Sequence, residues 1–194
     1  MIAVSDNCKL TPEEYLAAEE QSSIKHEYID GEVYAMAGTT DNHNAIAGNL
    51  YILIRSHCRG KNCQVYFADI KARIEKKNCF YYPDLLVTCD QRDQETQTYK
   101  CFSKLIIEVL SESTEKFDRG DKFSDYQALE SLEEYVLVST QHQRVEIFRR
   151  QDQAWRYERY DGARSHFRLH SIDLEITIPA VYEDVTIEPD QIEP

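Results

Sequence analysis

Two acidic residues stand where acids are costly. Glu108 sits inside the apolar run Ile106-Ile107-Glu108-Val109-Leu110, and Asp84 follows Pro83 at the entrance to Leu85-Leu86-Val87. A carboxylate in a buried strand needs a cation or hydrogen-bond donors beside it, because an unpaired charge in apolar surroundings is strongly unfavourable. Adjacent strands lie about 5 Å apart, so acids near the ends of two neighbours can share one divalent ion. The chemistry that such a pair supports is hydrolysis by a metal-activated water. The plain alternatives are that strand alternation exposes Glu108 and that Pro83-Asp84 is an ordinary strand or turn entrance.

Further along, Asp118, Lys122 and Tyr126 recur every four residues and project from one helix face. A solvated ion pair beside a partly buried tyrosine explains that spacing, but a helix directly after the Glu108 strand also lets Lys122 reach back to the acids. Glu27, His43 and Asp69 are weaker candidates. Polar residues at element ends are commonly caps or surface groups, and Asp69 shares its expected strand face with Lys71 and Arg73, so local charge pairing accounts for it. The triplets Asp69-Ile70-Lys71 and Glu75-Lys76-Lys77 are of a kind that chance supplies in a chain with 35 acidic residues.

The elements that must position these residues are legible in outline. Thr11-Pro12-Glu13-Glu14 reads as an N-cap, a first-turn proline and acids at the positive end of a helix over residues 12–21. Lys25 to Ile29 and Glu32 to Met36 flank Asp30-Gly31, a strong hairpin signal. A helical stripe runs from Asn42 to about Arg55, with Gly60 closing the region. Residues 64–74 read as one strand, followed by strands over 85–89 and 105–110. The hydrophilic interval from Asp90 to Lys100 is too short for a helical crossover, so those two strands should be antiparallel neighbours. A helix is expected over 115–130, then strands over 134–139, 145–149 and 155–160 and an alternating segment over 172–178. The tail, 189–194, reads as frayed or edge-packed.

At 194 residues, with 42% hydrophobic and 29% charged residues, the chain has the composition of one folded domain spanning 1–194. No apolar run approaches the roughly 20 residues that cross a bilayer, and no secretion signal opens the sequence, so no membrane association and a cytoplasmic location are expected. The six cysteines contain no close Cys-x2-Cys pair, which argues against structural zinc, and free thiols are the expected state. A formal charge of −13 works against a passive nucleic-acid coating function but leaves room for an enzyme whose metal ions neutralise its carboxylates.

Taken in order, Tyr82-Pro83-Asp84, the run from Ile107 to Thr114, Asp118-Arg119, Lys122, Tyr126 and Glu134-Tyr135 resemble the Uma2 family, as do the early Glu27-Tyr28-Ile29-Asp30-Gly31-Glu32 and His43. That family was formerly a domain of unknown function and is placed among restriction endonucleases in the PD-(D/E)xK nuclease superfamily. The resemblance covers nearly the whole chain. It implies an α/β (α+β) restriction-endonuclease-like core, a mixed central β-sheet flanked by helices, with an N-terminal helix and hairpin and with core strands carrying Asp69, Asp84 and Glu108. It also implies that Asp84 and Glu108 bind Mg2+, with Mn2+ as a substitute, that Glu27 supports the ion through water, and that Lys122 supplies the lysine function. The superfamily lysine two positions after the second acid is absent, since that position is Leu110. DNA is the implied substrate and a homodimer the implied working form; a nuclease-like binding or assembly module that no longer cuts is the alternative.

Overall fold

The computed structural model describes residues 9–36, 38–162 and 165–187, so Cys8 and the tail expected to fray lie outside the described residues. The chain begins with α1 (Pro12–Glu19), whose N-terminus is closed by a reciprocal pair of bonds between Thr11 and Glu14. The hairpin follows as β1 (His26–Ile29) and β2 (Glu32–Ala35). Its two turn residues, Asp30 and Gly31, both have positive φ, 46° and 96°. A side chain at Gly31 would in addition collide with Lys9, 2.7 Å from the position of its Cβ. Helix α2 (Asp41–Cys58) is capped by Thr40 and buries Ile46, Leu50 and Ile54.

Residues 64–74 form two strands rather than one, β3 (Gln64–Phe67) and β4 (Lys71–Ile74). Ala68 adopts φ 57° and its amide donates to the Asp84 carbonyl, which turns the chain out of one sheet and into another. Asp69 therefore lies in the crossing, which corrects the expectation from alternation that it sits on a core strand. Its carboxylate is 76% exposed and paired with Lys25.

Strands β5 (Cys79–Tyr81), β6 (Leu85–Thr88), β7 (Tyr99–Lys100) and β8 (Ser103–Leu110) follow. The expected helix over 115–130 is instead two short ones, α3 (Glu115–Arg119) and α4 (Asp121–Tyr126), which meet at Gly120 with ψ −101°. The remaining elements are β9 (Glu134–Ser139), β10 (Arg144–Gln151), β11 (Ala154–Asp161), β12 (His166–Leu169), β13 (Leu174–Thr177) and α5 (Ile178–Val181).

One sheet has the order β11-β10-β9-β8-β6-β3, a second the order β2-β1-β5-β4-β7, and β12 and β13 form a separate hairpin. In the six-stranded sheet β6 and β8 are antiparallel neighbours, as the short connection requires, while β8 and β9 run parallel, so the sheet is mixed. Both faces of β8 are covered. Leu105, Ile107 and Val109 pack in the cluster under α2, and Ile106 and Leu110 pack on the opposite face with Tyr81, Phe123, Tyr126 and Tyr135. By alternation Glu108 belongs to that second face, and it is 3% exposed.

The free-thiol expectation fails at one pair. Cys63 and Cys89 are joined by a disulfide, because they extend the β3–β6 ladder one step beyond the Gln64–Thr88 pair and so face each other across it. Cys58, Cys79 and Cys101 are free. Among the described residues no helix is long and apolar enough to cross a membrane.

Candidate functional site

The register of β6 and β8 pairs Leu85 with Ile107, and one further step sets Asp84 across from Glu108. Directly opposed residues of an antiparallel pair point to the same face, so the two acids converge through the ladder itself. Each is tied to the other's strand. The Asp84 amide donates to Glu108 Oε2 at 3.4 Å, and the Val109 amide donates to Asp84 Oδ2 at 2.7 Å.

Lys122 completes the group from α4. Its ammonium lies 2.9 Å from Glu108 Oε1, 3.1 Å from Glu27 Oε1 and 3.5 Å from Asp118 Oδ1, and it sits 5.5 Å from the centre of the Tyr81 ring. Glu27 reaches this point from β1 and accepts the Tyr82 amide at 3.2 Å. Tyr126, one turn beyond Lys122, donates its hydroxyl to Glu108 Oε1 at 3.1 Å. The ordinary reading of Asp118 and Lys122 as a solvated surface pair is thus wrong, since both are buried.

The electrostatics follow from three buried carboxyls around one buried ammonium. Burial pushes the Glu108 carboxyl well above the usual range, with Asp118 and Asp84 adding to the shift and Lys122 opposing it. Burial acts against the Lys122 cation, but the Glu108 and Glu27 carboxylates outweigh it and hold the ammonium well above its ordinary value. Tyr126 is likewise raised, first by burial and then by Glu108.

His43, in the first turn of α2, places Nε2 3.3 Å from Asp84 Oδ2. Burial disfavours its charged form, yet the hydrogen bond and charge of Asp84, with a bond to the Val109 backbone, raise the imidazole above its usual value. The structure therefore gathers Glu27, Asp84, Glu108 and Lys122 together with His43, Tyr126 and Asp118, while Asp69 stays outside. Asp118 was visible in the four-residue spacing, but its burial was not.

The oxygen-rich donor set suits a hard divalent cation. Mg2+ commonly takes only one or two carboxylates and keeps several waters. Among the described residues no three His, Cys, Asp or Glu side chains form a ready-made metal-binding group. Asp84 and Glu108 are the two side chains of this group that could hold such an ion, and the described residues offer it no closed protein cage.

The family model Uma2, described as "Putative restriction endonuclease", matches residues 12–181. An uncharacterized protein of Synechocystis sp. is 38% identical over 175 residues, 90% of this chain and 92% of that protein. A second uncharacterized protein of the same organism is 32% identical over 158 residues, 80% of this chain and 89% of its own length. A crystal structure from Anabaena variabilis, described as "a putative nuclease belonging to DUF820", superposes with a TM-score of 0.74 at 18% identity, covering 89% of this chain and 97% of that one. At that identity the likeness establishes the fold.

Proposed function

The chain belongs to the Uma2 family, a PD-(D/E)xK-like nuclease group, and from that premise we propose that it is a Mg2+-dependent endonuclease cutting phosphodiester bonds in DNA, with Mn2+ able to substitute. The observation that carries this reading is the opposed pair Asp84 and Glu108, with the Lys122 ammonium on Glu108 Oε1.

Asp84 and Glu108 would hold the cation. Val109 N–H and His43 engage Asp84 Oδ2, which leaves Asp84 Oδ1 for the ion; Lys122 and Tyr126 engage Glu108 Oε1, and Glu108 Oε2, which accepts only the 3.4 Å bond from the Asp84 amide, keeps a lone pair for it. When bound, Mg2+ supplies a water of lowered pKa and charge to offset the phosphate. Lys122 orients the attacking water and offsets negative charge as the pentacovalent phosphorus forms. Glu27 and Asp118 hold Lys122 in place, and Glu27 supports the cation through water. Double-strand cleavage needs two such centres, so a homodimer is the proposed working form, and the cytoplasm its place of action.

Cleavage of supercoiled and linear DNA with Mg2+ or Mn2+ tests the assignment in the parent, Asp84→Asn, Glu108→Gln and Lys122→Met. Each substitution is expected to lower the rate by about a hundredfold or more, the scale of losing one preorganised electrostatic group. Unchanged cleavage in all three, or none in the parent across metals and substrates, refutes it. Tight binding of a partner protein without measurable metal affinity would instead identify a non-cutting assembly module.

A further inference from the structure

Lys71 has no role in the site described above, yet its placement is unusual. It is 6% exposed on β4, and its ammonium lies 4.9 Å from the centre of the Tyr82 ring. Burial lowers its pKa against the pull of Glu19 and Glu20. No hydrogen bond or ion pair accompanies that ammonium among the described residues. A buried cation without a partner is costly, and the ring offsets only part of that cost.

The ammonium is not sealed in. Ser103 Oγ is the one sealed side-chain polar atom without a partner among the described residues, so the partnerless Lys71 Nζ keeps an opening to solvent. A second cation stands over the same ring. Lys25 Nζ lies 5.7 Å from the Tyr82 centroid, donates to the Ala68 carbonyl at 3.2 Å, and is paired with the exposed Asp69 carboxylate. The Ala68 amide in turn donates to the Asp84 carbonyl at 3.0 Å. That backbone link joins the two regions, while the β4–β5 register sets Lys71 and Tyr82 on the sheet face opposite Tyr81 and Glu27.

We propose that Lys71 and Lys25, gathered over Tyr82, form a subsite for a backbone phosphate of the nucleic acid away from the phosphodiester that is cut, with Asp69 holding Lys25 until the phosphate displaces it. This rests on the nuclease reading for the identity of the polymer. The chemistry required is that of any phosphate: a partnerless ammonium deep in the subsite, a second at its mouth, and a carboxylate that an entering anion can replace. In a chain of formal charge −13, such a local site lets a polyanion dock against the overall repulsion.

The test is binding of a fluorescently labelled 20-base-pair duplex, followed by anisotropy across a KCl series with Ca2+ in place of Mg2+, together with KM for cleavage in Mg2+. Lys71→Met and Lys25→Met should each weaken binding about equally for unrelated sequences and lower the salt slope by about 1. Lys71→Arg should keep the parent slope, which separates loss of charge from loss of fold. Asp69→Asn, at an exposed side chain, should tighten binding. Parent-like affinity, slope and KM in both lysine variants overturn the subsite while leaving the nuclease reading intact. Lysine-dependent binding by a parent that does not cut does the reverse. Lysine-dependent binding of inorganic phosphate with no effect of either lysine on DNA assigns the site to a free anion and also overturns the proposal.

Discussion

Replacing Lys122 with Met would expose the balance on which the centre depends. The variant keeps a side chain of similar volume but leaves Glu27, Glu108 and Asp118 facing one another without the ammonium that now lies within 3.5 Å of all three. Breaking a buried charge pair from one side costs about 3–5 kcal/mol, which for a chain of this size lowers the melting temperature by roughly 6–20 °C. The loss must depend on pH. Glu108 already has a folded-state pKa well above 4.5 because of burial, and Lys122 is the neighbour that opposes this shift, so the variant raises it further. A carboxyl whose folded pKa exceeds its unfolded one adds stability fully below the unfolded value and loses that contribution as pH rises through the folded value. The gap between parent and variant should therefore widen from pH 5.5 to pH 8. Urea unfolding in EDTA at both pH values measures it, and Glu108→Gln added to Lys122→Met should recover at least about 1 kcal/mol through the coupling of contacting groups. A single variant within about 1 kcal/mol of the parent at pH 8, or a gap that does not narrow at pH 5.5, refutes the account.

Three further outcomes follow from other parts of the fold. The Cys63–Cys89 disulfide spans 26 residues; on the chain-entropy model Cys63→Ser with Cys89→Ser should cost about 3–4 kcal/mol, read as a lowered melting temperature that reductant reproduces in the parent but not in the variant. The His43 imidazole is raised above 6.5, with burial acting against its charge and Asp84 outweighing burial. Its contribution to stability is full below about pH 6.5 and disappears as pH rises through the raised value, so the advantage of the parent over His43→Gln in EDTA should shrink between pH 6 and pH 8.5; a gap independent of pH would show that the imidazolium charge is not involved. On the sheet face opposite Glu108, Arg149 pairs with Glu134, which is 1% exposed and also bound by the His170 and Ser171 amides. Arg149→Met should cost about 3–5 kcal/mol in urea unfolding without changing metal affinity, and an effect on metal binding would show that the two buried charge networks are coupled.

Why some of this was legible in the residues and some was not comes down to the range over which each signal acts. Asp30-Gly31 announced its hairpin because both turn residues must tolerate positive φ, a constraint local to two positions. The antiparallel pairing of β6 and β8 followed from a connection too short to cross over, and that pairing alone brought Asp84 opposite Glu108. The split of residues 64–74 had no such marker. Ala68 takes φ 57° without being glycine, held there by a bond to Asp84 that closes only when β3 and β6 have paired. Alternation continued straight through it and misplaced Asp69. The same long-range dependence hid the burial of Asp118 and Lys122: four-residue spacing shows that two side chains share a face, but whether the face meets water or a covered strand is decided by β8 and β1, at positions distant in the chain. The disulfide was missed for a related reason, since Cys63 and Cys89 become opposed only once the β3–β6 register is set. The acids of the centre could be recognised because an apolar strand made them locally anomalous. Lys71, buried by contacts that no nearby pattern records, could not, and its ammonium, felt by Glu19 and Glu20 but ion-paired with neither, is the feature of this fold that an entering phosphate best explains.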